Sequence, residues 1–348
     1  MMKGKNHCSA SASVIIVNYN GRHFLGDCLT SLGAQSFRNF EAWVVDNGSQ
    51  DGSVQFIRDN FPWVRLISLE RNLGFCAGNN LAIRETNREL VVLLNNDTVA
   101  QADWLGQLVE AALDNPEVGT CASRILYLAK PHVLYAAGDS YTAWGNPYNR
   151  GGDEPADGRF GEATAVFSAC ACAALYRRSM LEEVGLFDED LFFNGEDVDL
   201  GFRARLAGYT CLYVPKAVVY HHGSGTAGVA NAWVEFIASR NSECVFFKNM
   251  PAVLLLKYLP FHIAQIGWNV LKKSGSGLSI PYLKGKVAFL RSLGSLMRKR
   301  AAVQRSRRIS AQELLATMDT AFFSRAVLKL KHVLLQDLTQ HRDQLPEK

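Results

Sequence analysis

Four short apolar runs in the first hundred residues, each ending in a polar turn, restrict the fold of this chain more than any other feature. They are VIIV at 14–17, AWVV at 42–45, VRLI at 64–67 and LVVLL at 90–94. Short, rich in β-branched residues and mostly without alternation, they read as strands buried on both faces of a mainly parallel sheet. The segments between them carry helical spacing, as in Phe24, Leu25, Cys28, Leu29 and Leu32. This βαβα series predicts an α/β fold with helices flanking a central sheet.

Each run leads into an asparagine- or glycine-rich loop: Asn18-Tyr19-Asn20-Gly21, Asp46-Asn47-Gly48-Ser49, Arg71-Asn72-Leu73-Gly74 and Asn95-Asn96-Asp97-Thr98. In an open α/β sheet such loops share the carboxyl edge, where ligands bind. Turn formation alone explains any one of them. Four on one edge point to a site.

With 348 residues, 48% hydrophobic and 20% charged, the chain is long enough for a large core and far from a disordered composition. A net charge of +4 does not call for nucleic acid. The eight cysteines form no CxxC pair and no zinc-like spacing, which fits free thiols in the cytoplasm. The start, MMKGKNHCSASAS, lacks the apolar run of a cleaved signal peptide. Ala252 to Leu271 is apolar but broken by Lys257, Pro260, His262, Gln265 and Asn269, a poor spanning helix. Residues 1–240 are read as the catalytic domain, with the turn-rich Gly145 to Gly161 as a mobile loop over the site. Residues 241–348 are read as a basic, partly apolar helical extension.

A nucleotide site on this edge that also activates a hydroxyl would need a nucleoside pocket, a cation for the diphosphate and a base. Asp46 ends the second run and suits the imide N–H of a pyrimidine, with Asn18, Tyr19 and Asn20 facing the same nucleoside. A carboxylate capping a turn is the plainer alternative. Gly74, Gly78, Asn79 and Asn80 fall where a loop meets a helix, where a backbone can approach ribose or phosphate. Asp97, beside Asn95 and Asn96, offers the single carboxylate that magnesium or manganese commonly takes together with substrate phosphates. In Asn194-Gly195-Glu196-Asp197-Val198-Asp199, residues 197 and 199 lie about 200° apart on a helix. Asp199 has Arg203 at i+4, so catalysis is assigned to Asp197 and helix support to Asp199. His221 and His222, ahead of Gly223-Ser224-Gly225-Thr226, suit a metal or phosphate contact.

The ordered set SVIIVNYNG, VVDNGSQDGS, RNLGFCAGNN, LLNNDT, VGLFDEDLFFNGEDVDLGFR and VVYHHGSGT resembles glycosyltransferase family 2, in particular its rhamnosyltransferase-like members of bacterial surface-polysaccharide assembly. The resemblance covers roughly residues 12–226. It implies a GT-A fold, a dTDP- or UDP-sugar donor with dTDP-rhamnose first, a glycan or lipid-linked acceptor, and inversion at the anomeric carbon. It further implies that Asp46 contacts the pyrimidine, Asn72 belongs to the donor loops, and Asn95-Asn96-Asp97 stands at the family's DxD metal site. Asp197 of the Glu196-Asp197 pair would be the base, and His221 or His222 a further ligand. Asn95 departs from the first DxD carboxylate, which weakens the expected metal binding. Cys170-Ala171-Cys172 reads as packing.

A nucleotidyltransferase would show a glycine-rich phosphate loop after the first strand, and VIIVNYNGRHF has one glycine there. A processive synthase would carry QxxRW, but Gln35 to Arg38 is followed by Asn39. A non-catalytic assembly subunit would be expected to have lost Asp97 or Asp197, and both are present. The apolar 252–271 stretch beside Lys272, Lys273 and the arginines near 298–308 predicts peripheral docking on a membrane. Packing on the catalytic domain, or a homo-oligomer interface, is the alternative.

Overall fold

The computed structural model describes residues 10–223 and 231–321. Residues 1–9 of the amino-terminal stretch read for a signal peptide, and residues 224–226 of the glycine-rich segment, lie outside the described residues.

The chain opens as β1 (Ala12–Asn18), α1 (Arg22–Gly33), β2 (Phe40–Asp46), α2 (Ser53–Asn60), β3 (Arg65–Ser68), α3 (Phe75–Glu85) and β4 (Leu90–Leu94). β1 pairs in parallel with β2 and β4, and β2 with β3. The unalternating runs have a direct cause. Val14, Ile16, Val44 and Val92 point into one core layer with α1, while Ile15, Val45, Val91 and Leu93 point into the layer on the opposite face. VRLI departs from the reading. β3 is the edge strand, with Arg65 and Ser68 exposed and Leu66 and Ile67 half-buried, because no further strand covers it.

A second half follows: β5 (Thr98–Ala100), α4 (Trp104–Asp114), β6 (Val118–Tyr127), β7 (Leu134–Ala137), β8 (Asp139–Tyr141), β9 (Pro147–Asn149), β10 (Thr164–Val166), β11 (Ala173–Arg177), α5 (Arg178–Val184), α6 (Glu196–Leu206) and β12 (Thr210–His221). β11 inserts antiparallel between β4 and β6, so the sheet is mixed, in the order β10-β12-β6-β11-β4-β1-β2-β3. The turn-rich stretch after Gly145 is tied down rather than loose. β9 pairs with β8, Phe160 is buried beneath the Arg150 guanidinium 5.1 Å away, and the Tyr213 hydroxyl donates to the Phe160 carbonyl at 3.0 Å.

The chain closes with α7 (Ala232–Asn249), α8 (Ala252–Ser274), α9 (Ser279–Arg291), α10 (Leu293–Arg305) and α11 (Ala311–Ala316). The boundary expected near residue 240 falls inside α7. Phe246, Met250, Leu254, Phe289, Leu296 and Leu314 share one core layer with Ile15 and Val91 of the sheet.

Candidate functional site

At the carboxyl edge of the parallel strands, a chain of side-chain hydrogen bonds joins three loops. Asn96 Nδ2 donates to Asn18 Oδ1 at 2.8 Å, and Asn18 Nδ2 donates to Asp46 Oδ2 at 2.9 Å. The other Asp46 oxygen accepts the Ser49 N–H at 2.9 Å. Asn18, Asp46 and Asn96 are all buried. Gly21 is required beside them, since a Cβ there would lie 2.1 Å from Asn96 Nδ2. Asn20 sits at a positive φ of 51°, its Oδ1 accepting the Gln50 N–H, while Tyr19 stands exposed at the rim. The loops of the sequence reading therefore meet, and Asp46 does the turn-capping work that was its plainer alternative. Each of its oxygens retains capacity for a further donor.

The third loop is braced from within. Asn72 Oδ1 accepts from Asn47 Nδ2 and from the Gly74 N–H. Gly74, at φ +91°, touches Phe192, and Gly78 lies against Val17. Asn79 is buried and donates to the Phe75 carbonyl of its own helix. Asn80 bonds Phe187 and Glu189, fixing the approach to α6. The amides of Asn79 and Asn80 thus serve the fold, and what this loop offers outward is backbone.

Asp97 and His221 come together: Asp97 Oδ1 lies 3.2 Å from His221 Nε2, and both are buried. The contact lacks hydrogen-bond alignment, leaving Oδ1 an orphaned buried acceptor among the described residues. Burial pushes the Asp97 carboxyl up, but His221, with His222 behind it, overrides this and holds it below the usual carboxylate range. Burial works against a charged His221, yet Cys172 and Asp97 push its pKa upward. Asp97 is the standing anion of the two, because burial keeps the Cys172 thiol protonated. His222 does not join the pair. Successive strand residues face opposite ways, so its exposed ring packs on Phe24 at 4.8 Å while its N–H caps the Asp97 carbonyl. No group of three or more His, Cys, Asp or Glu positioned for a metal occurs among the described residues. One carboxylate and one imidazole still fit a hard divalent cation that takes its remaining ligands from a diphosphate.

Asp197 opens α6 behind a loop of left-handed residues, Phe192, Asn194 and Gly195. That loop is pinned by buried Asn241, whose Nδ2 donates to the carbonyls of Leu191, Phe193 and Asn194. Asp197 Oδ2 accepts the Ala171 N–H at 3.1 Å and Oδ1 the Val198 N–H at 2.8 Å. Cys170-Ala171-Cys172 therefore does more than pack: it supplies a donor to the carboxylate, invisible in sequence because it is backbone.

Two further acids surround Asp197. Glu196 is buried with Oε2 unpartnered among the described residues, and burial plus the Asp197 charge push it up to about 8. Asp139, buried on β8, takes a 3.1 Å hydrogen bond from Ser168 and is pushed well up by burial and by Asp197. Burial raises Asp197 too, but its two N–H donors oppose the shift. Asp197 is the half-buried, doubly hydrogen-bonded member of the cluster, its carboxyl still raised on balance, and Glu196 holds a proton at neutral pH. Asp139 was missed in the sequence because a lone acid after Gly138 looks like a turn. The two halves share a wall, in which Cys172 lies within electrostatic reach of both Asp97 and Asp197 and the Tyr135 ring packs on His221 at 4.5 Å.

Asp199 is separate from this chemistry. It accepts from Arg203 at 2.9 Å and from Asn249 at 2.7 Å, and pairs with Lys248 at 2.7 Å, fully buried.

This mixed sheet with its loop site is a GT-A-like fold. It is shared with the crystal structure of GalNAc-T7 with UDP, GalNAc and Mn2+, at TM-score 0.56 and 15% identity over 69% of this chain and 48% of that one. It is also shared with S. aureus TarS, at TM-score 0.51 and 18% identity over 72% and 43%. Residues 13–185 match the family described as Glycosyl transferase family 2. The N-acetylglucosaminyl-diphospho-decaprenol L-rhamnosyltransferase of Mycobacterium tuberculosis is 28% identical over 62% of this chain and 77% of its own length. The O-antigen biosynthesis protein RfbC of Myxococcus xanthus is 30% identical over 65% of this chain but only 19% of its own length.

Proposed function

We propose that this glycosyltransferase is metal-dependent and inverting, and moves a sugar from a dTDP- or UDP-linked donor to a hydroxyl of a glycan or lipid-linked acceptor in surface-polysaccharide assembly. The observation that carries the reading is Asp197: a half-buried carboxylate fixed by two N–H donors, with the buried acids Glu196 and Asp139 beside it. Asp197 accepts the acceptor's proton as its oxygen attacks the anomeric carbon from the face opposite the nucleotide, which inverts that centre. The nucleoside lies over the Asn18–Asp46–Asn96 bracket. Magnesium or manganese held by Asp97 and His221 would offset the charge left on the departing diphosphate. The mycobacterial relative's name favours rhamnose as the first donor to try.

The test is a panel of nucleotide sugars with a prenyl-diphosphate-sugar acceptor, read by mass spectrometry of the product and by nucleoside diphosphate release. Transfer from dTDP-rhamnose, lost in chelator and in Asp97→Ala, supports the reading. Full activity in chelator removes the metal, and transfer with retained anomeric configuration removes Asp197 as a one-step base.

A further inference from the structure

Among the apolar residues of the carboxyl-terminal helices, one set faces outward. α8 buries Leu254, Tyr258 and His262 against the domain and turns Val253, Leu256, Ile263, Trp268 and Leu271 to solvent. Leu256 is 72% exposed and Leu271 69%. α9 buries Tyr282 and Phe289 and exposes Ile280, Leu283, Val287 and Leu290. Both helices are therefore apolar on two sides, and the outer side has no partner among the described residues. Monomeric proteins rarely leave so much contiguous apolar surface wet without a use.

The charges on this surface have one sign. Between Val253 and Lys272 the exposed positions of α8 are apolar or glycine except Lys257 and Lys272, and the remaining exposed positions of α9 are Lys284 and Arg291. No Asp or Glu occurs between Glu243 and Glu313. Part of the basic run is spent in the fold. Lys273 pairs with Glu235, Lys286 with Glu243, Lys299 with Asp188 and Asp190, and Arg308 with Glu183. Arg300 donates to the carbonyls of Phe247 and Met250. Lys257, Lys272, Lys284 and Arg291 remain beside the apolar stripes.

We propose that the outward faces of α8 and α9 form a docking surface for an anionic lipid leaflet, on which the enzyme lies without crossing. A leaflet offers both things this surface lacks, an apolar medium for Leu256 and Ile263 and phosphates for the lysines. A second copy of the same face would bring cations against cations. Crossing is opposed by the buried His262–Glu243 pair at 2.8 Å, which ties the middle of α8 to α7, and no described helix is long and apolar enough to span a bilayer.

The experiment is sedimentation of the full chain with phosphatidylcholine vesicles, with and without phosphatidylglycerol, at low and high salt. The wild type is expected to pellet with the anionic vesicles at low salt and to be released at high salt. Leu256→Glu, Ile263→Glu and Leu283→Glu are each expected to weaken partitioning about tenfold or more. Lys257→Gln with Lys284→Gln should remove the preference for the anionic lipid. All variants should keep the wild-type Tm and donor-dependent nucleotide release, which separates this proposal from the catalytic one. Wild type that ignores anionic vesicles at low salt overturns it, as do glutamate variants that pellet undiminished. A self-association abolished by those variants would make the face a chain–chain interface. Binding that emerges only after residues 322–348 are removed would make the occupant the chain's own carboxyl terminus.

Discussion

Asp197 accepts hydrogen bonds from Ala171 and Val198, whereas Glu196 beside it keeps a buried oxygen with no partner among the described residues. Asp197→Asn is thus expected to lower transfer by ~10²- to 10⁴-fold while leaving donor affinity, measured by titration calorimetry, nearly unchanged. A variant retaining a third of wild-type turnover would refute the base assignment. Glu196→Gln should be far milder, because glutamine replaces a carboxyl that is already neutral. The same residue sets a pH dependence. Its folded pKa, about 8, lies above the ordinary 4.5, so the folded chain keeps a proton that the unfolded chain releases. Stability from this group therefore falls as pH rises through that interval and levels off above it. Asp139 and Asp197 shift in the same direction. Relative to wild type, Glu196→Gln should gain on the order of a few degrees in Tm between pH 5 and pH 8. A Tm difference that is flat across this range would sink the idea that Glu196 is protonated in the fold.

At the scale of elements, α6 divides its acids by face. Asp199 points into the core, where Lys248 and Arg203 hold its carboxyl below the usual range against the opposing effect of burial. Asp199→Ala strands two buried cations and should cost about 3–5 kcal/mol in urea unfolding. Lost activity with wild-type stability would instead place Asp199 at the substrate. This division was legible in the sequence because positions two apart on a helix lie about 200° from each other and Arg203 stands at i+4 to Asp199. β1, β2 and β4 were legible for a similarly local reason, burial on both sides erasing alternation. What could not be read depends on contacts between distant segments. β3 looks like its neighbours until the sheet order makes it an edge. Asp139 gains meaning only beside Ser168 and Asp197, and the Ala171 N–H leaves no trace in any side chain. The separate fates of His221 and His222 follow from the direction of β12, which sequence adjacency conceals.

For the molecule as a whole, the carboxyl-terminal helices complete the structure that carries the site. Asn241 and Lys248 on α7 are buried against the loop and helix that present Asp197, and Lys299 on α10 reaches Asp188 and Asp190 in the same approach. Gln304 donates to the Asn249 carbonyl, and Asp319 bonds through its backbone to Tyr141 and Ala143 next to Asp139. A chain cut after residue 240 would expose Ile15's core layer where Phe246, Met250 and Leu254 now cover it. It would also strip Lys248 and Lys299 from Asp188, and Lys248 from Asp199, which would keep only Arg203 of its two cations. Such a fragment is expected to lack a cooperative unfolding transition and to bind hydrophobic dye, whereas a chain ended after Ala321 should unfold in one transition with activity and helicity lost together. Two separate transitions in the full chain, or a stable and active 1–240 fragment, would show that the extension is an independent unit and that the ion pairs on Asp188 and Asp199 are dispensable.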